Sequence, residues 1–519
     1  MSIIDRPANN GAGAKTHRTD RRAWFGLAVL TLPVFLVSMD FSVLYLAIPT
    51  LSAELAPSAT QQLWIVDIYG FLIAGLLITM GNLGDRFGRR RLLLIGATLF
   101  GVASAVAAFA PDASSLIAAR AIMGIGGATL LPSSLSLVGN MFPDAMTRAK
   151  AIGVWTAAFA GGSALGPVIG GVLLHHFWWG SVFLINVPVL LVLLILAPRL
   201  VPEYRSGSTD PFDVPGIALS MIGILPLVYA IKHGAAEGLD TTTLTFAAIG
   251  IVGMWLFIRH ERRTPYPLLE LKLFRNPRFS AAIGSALTGM MTLGALSYLT
   301  GIYLQSVLGR DVMTAALLGL PMAIAVAAFS MSASRIASHI SVRWAFVLGM
   351  VFAALGNAGM IFLGVSEGIG VYLVSSAVAG IGYGMIFSLV SNVAVSSVPT
   401  ERSGAAVGIS ETSFELGTAF GLAILGSVAT MVFRRNTEGT GAQDTLSETL
   451  DHAKGLDPAA QSTLADTARV AFVDGLHVTA TVSVALLGAM AVVIAILLRT
   501  RTPATQSADQ SQKSSTTTS

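Results

Sequence analysis

Long apolar runs constrain the fold of this chain more than any other feature. Fourteen of them are long enough to cross a bilayer as helices, a crossing that takes about 20 residues each. They lie near 24–48, 62–83, 92–110, 115–138, 149–173, 180–198, 214–232, 243–259, 279–304, 313–334, 344–364, 370–394, 404–433 and 477–498. Only 12% of the residues are charged, against about 25% in a soluble domain. The sequence therefore predicts an all-α polytopic membrane protein with 14 transmembrane helices.

The distribution of basic residues predicts the orientation of these helices. With both termini in the cytoplasm, 25 of the 32 lysines and arginines fall on the cytoplasmic side, six fall outside, and Arg120 lies within a run. This excess follows the positive-inside rule. The first run is too long for a signal peptide and is interpreted as a retained helix. We therefore expect a multi-pass protein of the bacterial inner membrane with both termini cytoplasmic.

Two long polar connections predict the domain organisation by dividing the helices into groups of six, two and six. The predicted divisions are an N-terminal tail (1–23), a six-helix bundle (24–198), two inserted helices with cytoplasmic linkers (199–278), a second six-helix bundle (279–498) and a tail (499–519). The tail is rich in serine and threonine and is predicted to be disordered. Two bundles of six predict a pseudo-symmetric transporter with its substrate path between the halves.

Two of the three long connections, 259–278 and 434–476, carry further signals. The segment 259–278 mixes six basic residues with leucines and Phe274, which fits either a stretch on the inner membrane surface or a plain linker. The outer loop 434–476 contains Asp457–Pro458, a helix N-cap followed by proline in the first turn. That pair predicts a helix over about 458–473 and a folded outer hairpin.

Five ionisable residues fall well inside the apolar runs: Asp40, Asp67, Arg120, Glu411 and Glu415. A charge there costs about 2.5–3.5 kcal/mol on insertion scales, so each needs a partner, a cavity or a proton. Asp40, Asp67 and Arg120 are predicted to share one level of the first bundle. Arg120 would neutralise one carboxylate and leave the more distant one to exchange protons or attract a cation. A purely structural ion pair is the alternative.

Glu411 and Glu415 lie four residues apart on the thirteenth run, so they share one face of a helix. Like charges this close favour one shared proton. The alternative is that one of the two faces the cytoplasmic entrance and is solvated.

Aromatic side chains cluster within two helical turns of the first two carboxylates. Such rings can line a cavity for a flat cation through cation–π contact, whereas lipid-facing or interfacial rings are the alternative. The candidate cavity aromatics are Phe41, Tyr45, Trp64 and Tyr69.

A glycine repeat marks the fifth run. Gly162, Gly166 and Gly170 recur every four residues, with Pro167 beside them. Small residues at this spacing permit close helix approach, and proline removes a backbone hydrogen bond and bends a helix. A pliable packing seam and ordinary helix packing both fit this pattern.

The connection between the second and third runs reads GNLGDRFGRRR over 81–91. It is short enough to be only a turn, and its four arginines place it in water at the cytoplasmic face. We interpret it as a gating latch in which Asp85 caps or pairs with a neighbouring helix end in the outward-open state and releases it in the inward-open state. The predicted latch residues are Gly81, Asp85, Arg86, Gly88 and Arg89.

These motifs together resemble the major facilitator superfamily. The 81–91 loop, RAIMGIGG at 120–127, GSALGPVIGG at 162–171 and MDFSVLYLAIP at 39–49 are similar to signatures of its fourteen-helix drug:proton antiporter branch, the multidrug exporters of the QacA, SmvA and LfrA type. The resemblance implies a major facilitator fold and proton-coupled export of lipophilic cations by alternating access. It also implies coupling roles for the membrane carboxylates. A further acidic residue found in the tenth helix of some members is absent from 313–334.

Other classes of function find little support in the residues. The chain has no cysteine, its eight histidines lie outside the deep parts of the runs, and it has no GxxxxGK[ST] phosphate loop. We therefore expect no metal, cofactor, ATP or nucleic acid, and predict small cationic drugs, protons and membrane lipid as partners of a monomer. An exporter of an endogenous metabolite, antibiotic or lipid is the first alternative. A membrane enzyme or receptor is the second, and an enzyme would need a convergent catalytic constellation.

Overall fold

The computed structural model describes residues 21–57, 59–205, 213–265, 267, 269, 271–398, 403–443 and 445–499. Within helices of that part, a few side chains fall outside the description, among them those of Phe41, Tyr45 and Asp67. Every regular element in the described ranges is a helix. The all-α prediction is thus confirmed.

Seventeen α-helices follow one another along the described ranges. They are α1 (Arg21–Leu55), α2 (Ala59–Phe87), α3 (Arg89–Ala108), α4 (Ala113–Met141), α5 (Ala145–His176), α6 (Ser181–Leu184), α7 (Asn186–Leu200), α8 (Val214–Glu237), α9 (Thr241–Glu261), α10 (Pro277–Ile302), α11 (Val312–Leu318), α12 (Leu320–Gly359), α13 (Ile369–Ser396), α14 (Ser403–Phe420), α15 (Gly426–Thr437), α16 (Leu446–Ala453) and α17 (Pro458–Leu497). Short π-helical segments, Tyr303–Val307 and Gly421–Leu425, follow α10 and α14.

Thirteen helical segments of the described part are long and apolar enough to cross a membrane. One of them, Met313–Phe362, has 50 residues, far more than a single crossing needs. Its backbone breaks at Ser341, where φ is +77°. The break divides this segment into two crossings, which gives the fourteen that the sequence predicts.

The last crossing differs from its prediction. The polar stretch after Pro458 was expected to form a separate helix over about 458–473, but it continues without a break into the final span as α17, a helix of 40 residues. Asp457 does cap it, accepting hydrogen bonds from the amides of Ala459 and Ala460 at 3.1 Å. The outer hairpin therefore consists of α15, α16 and the polar half of α17.

Aspartate caps begin many of the helices. Asp112 and Ser115 form a reciprocal capping box at the start of α4, an arrangement that satisfies two otherwise unpaired backbone donors. Asp144 accepts from the amide and the hydroxyl of Thr147 at 2.8 and 2.7 Å. These two hydrogen bonds lower the pKa of Asp144, because they favour its charged form.

Separate apolar cores form within the two predicted bundles. One cluster draws on α1 to α7, including Leu30, Phe100 and Trp155. Another draws on α10, α12, α13 and α17, including Phe346 and Ile386.

We call the end of the molecule that carries the 81–91 loop the loop face and the opposite end the far face.

The inserted helices α8 and α9 pack against each other, and α8 also packs against α2. Gly223 and Gly253 let their backbones meet, since a Cβ on Gly223 would lie 2.9 Å from the amide nitrogen of Met254. Ile224 and Val228 of α8 share an apolar cluster with Phe71 of α2.

The linker after α9 joins the same cluster. Leu269 is buried there, and Leu271 and Leu273 pack against it, whereas Phe274 is exposed. The three described leucines of 259–278 therefore pack against protein, which favours the plain linker over the stretch on the membrane surface; Leu268 lies outside the described residues.

Candidate functional site

A buried ion pair joins α1 and α4. Arg120 Nη1 lies 3.0 Å from Asp40 Oδ2, and the two residues are 1% and 4% exposed. Arg120 Nε also donates to the carbonyl oxygen of Ile65 at 2.5 Å. Removing one partner of such a pair costs about 3–5 kcal/mol, because the other charge stays buried without compensation.

Aromatic rings complete the surroundings of this guanidinium. The Arg120 carbon Cζ lies 5.0 Å from the ring centre of Tyr69 and 5.8 Å from that of Phe183. Tyr69 is fully buried and meets Phe100 edge-on at 6.1 Å. Groups from three other helices, α1, α2 and α6, thus contact Arg120. Of the two carboxylates considered for Arg120, Asp40 is the one seen in contact; the side chain of Asp67 lies outside the described residues.

A central cavity of about 810 Å³ lies between the two halves. Ser42 of α1 and the face of α5 that carries Trp155, Phe159 and Ser163 form one wall. The other wall comes from α10 to α14 and the π-helical segment after α10. Cavities of roughly 300–1,000 Å³ suit drug-sized ligands.

The lining of this cavity is largely aromatic and thioether. Trp155 and Phe159 stack with ring centres 6.5 Å apart, and Phe387 meets Phe414 edge-on at 5.3 Å. The methionines among the lining residues are Met290, Met322 and Met360. Polarisable side chains of this kind adapt to ligands of varied shape.

Glu411 is the one carboxylate among the described residues that line the cavity. It is 4% exposed, and its Oε1 atom has no hydrogen-bond partner. It lies eight residues into α14, about 12 Å from the start of that helix at 1.5 Å per residue. Glu415, one turn further on, is half-buried. A buried carboxylate oxygen without a partner favours binding either a proton or a cation.

Two of the four aromatic residues predicted to line a cavity, Trp64 and Tyr69, lie elsewhere in the structure. Trp64 stacks on Tyr229 of α8 at 6.0 Å, and Tyr69 is buried beneath Arg120. Neither is among the residues that line the central cavity. The side chains of Phe41 and Tyr45 lie outside the described residues.

Sequence reasoning missed Trp155, Phe159, Phe387 and Phe414. Two signals were present in the sequence. Phe414 lies three residues after Glu411, and Trp155 and Phe159 lie one turn apart on the helix with the glycine repeat.

The glycine repeat of α5 forms a seam with α1. A Cβ on Gly162 would lie 2.3 Å from the carbonyl oxygen of Phe35, and one on Gly166 would lie 1.9 Å from Ser42 Oγ. Gly170 is also buried. Pro167 lines the cavity. The two helices can approach this closely only because side chains are absent.

At the loop face, Asp85 binds the first turn of α14 from across the interface between the halves. Its Oδ1 and Oδ2 atoms accept hydrogen bonds from the amides of Gly404 and Ala405 at 3.2 and 3.3 Å. These amides have no partner within their own helix. Arg89 Nε donates to Asp85 Oδ1 at 2.7 Å. The contact has the geometry expected of the latch, whose gating role stays a prediction.

Glycines make this contact possible. A Cβ on Gly81 would lie 2.3 Å from the carbonyl oxygen of Gly404. Gly88 adopts φ +112°, a backbone conformation that favours glycine. Arg86, the remaining predicted latch residue, is half-buried.

The segment after α7 braces the loop from outside. Glu203 accepts hydrogen bonds from the amides of Arg90 and Arg91 at 3.0 and 3.2 Å. It thereby supplies acceptors for the first turn of α3, which has no side-chain cap of its own.

Comparison with known proteins agrees with this architecture. The model of the Major Facilitator Superfamily matches residues 30–422. The chain is 41% identical over 493 residues to the "Multidrug efflux pump LfrA" of Mycolicibacterium smegmatis, covering 93% of this chain and 98% of that protein. It is 34% identical over 464 residues to the "Methyl viologen resistance protein SmvA" of Salmonella typhimurium, covering 87% and 93% of the two chains.

A solved structure supports the fold. The human organic anion transporter MFSD10 superposes with a TM-score of 0.58 at 16% identity, covering 90% of this chain and 99% of that one. The chain therefore belongs to the major facilitator superfamily, and it is a membrane transporter and not an enzyme.

Proposed function

We propose that this protein is a proton-coupled antiporter that exports lipophilic cationic drugs by alternating access. The observation that carries the proposal is Glu411, a carboxylate with an unpartnered oxygen in an aromatic cavity between the halves. The printed names of the two relatives, a multidrug efflux pump and a methyl viologen resistance protein, agree with it. Methyl viologen is itself an aromatic dication.

Competition for one carboxylate couples the two flows. A cation in the cavity would neutralise Glu411 while the rings of Phe414 and Phe387 contact its apolar body. Cation–π contacts are worth about 2 kcal/mol or more when desolvated. A proton arriving from outside would occupy the same oxygen and release the cation. No covalent step is needed.

The other membrane carboxylates support this exchange. Asp40 is neutralised by Arg120, so we assign the pair to holding α1, α2 and α4 in register. Asp67 and Glu415 are proposed as additional proton-exchanging groups. The glycine seam between α1 and α5 would let these helices shift while remaining in contact.

Gating is assigned to the loop face. There, Asp85 holds the start of α14, and the backbones of the two halves meet. A Cβ on Gly408 would lie 2.8 Å from the carbonyl oxygen of Leu77. By the positive-inside rule this face is cytoplasmic, so the described conformation is closed toward the cytoplasm. Loss of the Asp85 contact would allow the inward-open state.

The same reasoning places the protein in the bacterial cytoplasmic membrane with both termini in the cytoplasm. We further propose the domain division into bundles 24–198 and 279–498 around the inserted helices. Lipid is the surrounding solvent, and the functional unit is a monomer.

Efflux from proteoliposomes tests the proposal. A pH gradient should drive ethidium transport by the wild-type protein, and Glu411→Gln should abolish it. Glu448→Gln, in the exposed part of α16, is the matched control and should transport normally. Ethidium efflux that persists undiminished in Glu411→Gln would refute the role of this carboxylate.

A further inference from the structure

Three buried polar side chains from three helices form a second polar site in the cavity wall. Thr292 of α10, Asn357 of α12 and Tyr383 of α13 are 0%, 2% and 1% exposed. Tyr383 Oη lies 3.0 Å from Thr292 Oγ1 and 3.0 Å from Asn357 Nδ2. Asn357 and Tyr383 both line the cavity. We call these residues the polar triad.

The hydrogen bonds that Thr292 donates to its own helix indicate the direction of the other hydrogen bonds in the triad. Thr292 Oγ1 donates to the carbonyl oxygens of Thr288 and Gly289, both at 3.0 Å. Since a hydroxyl has one hydrogen, Thr292 accepts the hydrogen of Tyr383. Tyr383 in turn accepts from Asn357 Nδ2.

This ordering leaves an acceptor at the cavity. The Asn357 Oδ1 atom has two lone pairs and accepts at most one hydrogen bond within the triad, from the Tyr383 hydroxyl at 3.4 Å, so at least one lone pair stays available to a ligand. A buried amide oxygen gains from a hydrogen-bond donor and costs free energy without one. The triad is therefore suited to receive an N–H or O–H group of a ligand.

Aromatic rings connect the triad to the carboxylate side of the cavity. The ring of Tyr383 stacks on Phe387 at 5.9 Å with an angle of 15° between planes. Phe387 then meets Phe414 at 5.3 Å, and Phe414 lies one turn from Glu411 on α14. The cavity thus carries an anionic end, an aromatic middle and a neutral acceptor end.

We propose that Asn357, oriented by Tyr383 and Thr292, is a specificity-determining residue that selects cations carrying a hydrogen-bond donor on an aromatic group away from the positive charge. The inference rests on the proposed function, because it takes Glu411 as the site of the positive charge. Phenol and aniline groups attached to a bulky organic cation are the chemical class that fits.

Three matched phosphonium probes test this preference. They are tetraphenylphosphonium, its analogue with one 4-hydroxyphenyl group, and the 4-methoxyphenyl analogue, which has a similar size but no donor. Binding to purified full-length protein is measured by isothermal titration calorimetry. The hydroxyl probe should bind about fivefold more tightly than the other two, the effect of one net hydrogen bond of about 1 kcal/mol.

Two substitutions should remove that difference. Asn357→Leu deletes the acceptor, and Tyr383→Phe keeps the stacked ring while freeing the amide to turn. Both variants should bind the three probes with equal affinity. Their affinity for tetraphenylphosphonium should stay within about twofold of the wild-type value, a smaller change than the loss of one net hydrogen bond would cause. Ser285→Ala, which deletes a buried hydroxyl of α10 outside the lining, should preserve the fivefold preference.

The outcomes separate this inference from the proposed function. Equal affinity of the wild-type protein for all three probes, or equal weakening of all three by Tyr383→Phe, would overturn the inference and assign the triad to packing. Failure of the proposed function has a different signature, namely unchanged binding of every probe to Glu411→Gln.

Discussion

The 81–91 loop and the stretch 334–344 are equivalent turns in the two halves of the molecule, and they differ in chemistry. Gly88 has φ +112° and Ser341 has φ +77°, each at the break between two membrane helices. Counted back from these positions, Asp85 corresponds to Ser338, and Arg89 corresponds to Val342 counted forward. The backbone path is repeated while the ion pair is not.

The contacts across the interface show what the repetition preserves. A Cβ on Gly153 would lie 2.4 Å from the carbonyl oxygen of Ser330, and one on Gly408 would lie 2.8 Å from that of Leu77. Both sides thus use a glycine of one half against a carbonyl of the other. Of the two corresponding residues, Asp85 adds a charged contact to the other half, whereas Ser338 is exposed and donates to the carbonyl oxygen of Arg335 in its own helix at 2.7 Å. The two sides of the interface therefore share the close contact between a glycine and a carbonyl, but they differ in the polar contact.

The largest effect on transport should come from replacing Asp85, the charged residue that the second half lacks. Asp85→Asn removes the charged acceptor for two α14 amides and the carboxylate that pairs with the buried Arg89. We expect ethidium transport to slow by at least about tenfold, which is 1.36 kcal/mol in the barrier, while cation affinity changes little.

Ser338→Ala is the matched substitution in the second half and should transport normally. Equal loss of binding and transport in Asp85→Asn would indicate a folding role for this carboxylate. A transport defect in Ser338→Ala as large as that in Asp85→Asn would remove the asymmetry.

An intermediate effect on transport should follow when a methyl group is added at the glycine–carbonyl contacts that both sides share. Gly153→Ala and Gly408→Ala each place a methyl group against a carbonyl of the other half, and overpacking costs about 1–3 kcal/mol. We expect both to weaken closure of the loop face and reduce transport severalfold. Gly161→Ala, which has open space around it, is the control.

Spin labels can measure this closure directly, because the natural chain has no cysteine. Cysteines replacing the exposed Met146 and Ser396 report the distance between the halves by pulsed electron resonance. Both glycine variants should shift the distribution to longer distances. Widening by Gly408→Ala alone would show that the two sides are not equivalent in shape.

The smallest effect is expected on stability, from substitutions in the two turns at Gly88 and Ser341. Ser341 is exposed with a positive φ, which costs a residue other than glycine roughly 1–2 kcal/mol. Ser341→Gly should therefore stabilise the protein by about 1 kcal/mol without altering transport. Gly88→Ala should destabilise it, because its Cβ would also lie 2.8 Å from Glu203. Thermal unfolding in detergent measures both, and a Ser341→Gly protein of lower stability would contradict the equivalence.

Much of the fold follows from the sequence. Hydropathy located the fourteen crossings because each must bury its own backbone hydrogen bonds in lipid. The Asp457–Pro458 start of α17 was also predictable from local capping rules. The continuity of α17 was not, since its first half lies outside the apolar run and is held by packing of Ala468, Ala471 and Phe472.

The site was predictable only in part. The cost of burying charge singled out Glu411, Asp40 and Arg120 before their surroundings were known. Trp64 and Tyr69, two of the four aromatic residues predicted for a cavity, do not line the central cavity, because sequence does not tell which face of an apolar helix meets lipid and which meets the other half. The polar triad joins residues 91 and 26 positions apart, and no local pattern signals it.

The central claim is that a cation and a proton compete for Glu411. Proton release on adding tetraphenylphosphonium to purified protein in weakly buffered detergent solution tests it most directly. We predict release from the wild-type and Asp85→Asn proteins and none from Glu411→Gln. Undiminished release from Glu411→Gln would contradict the account.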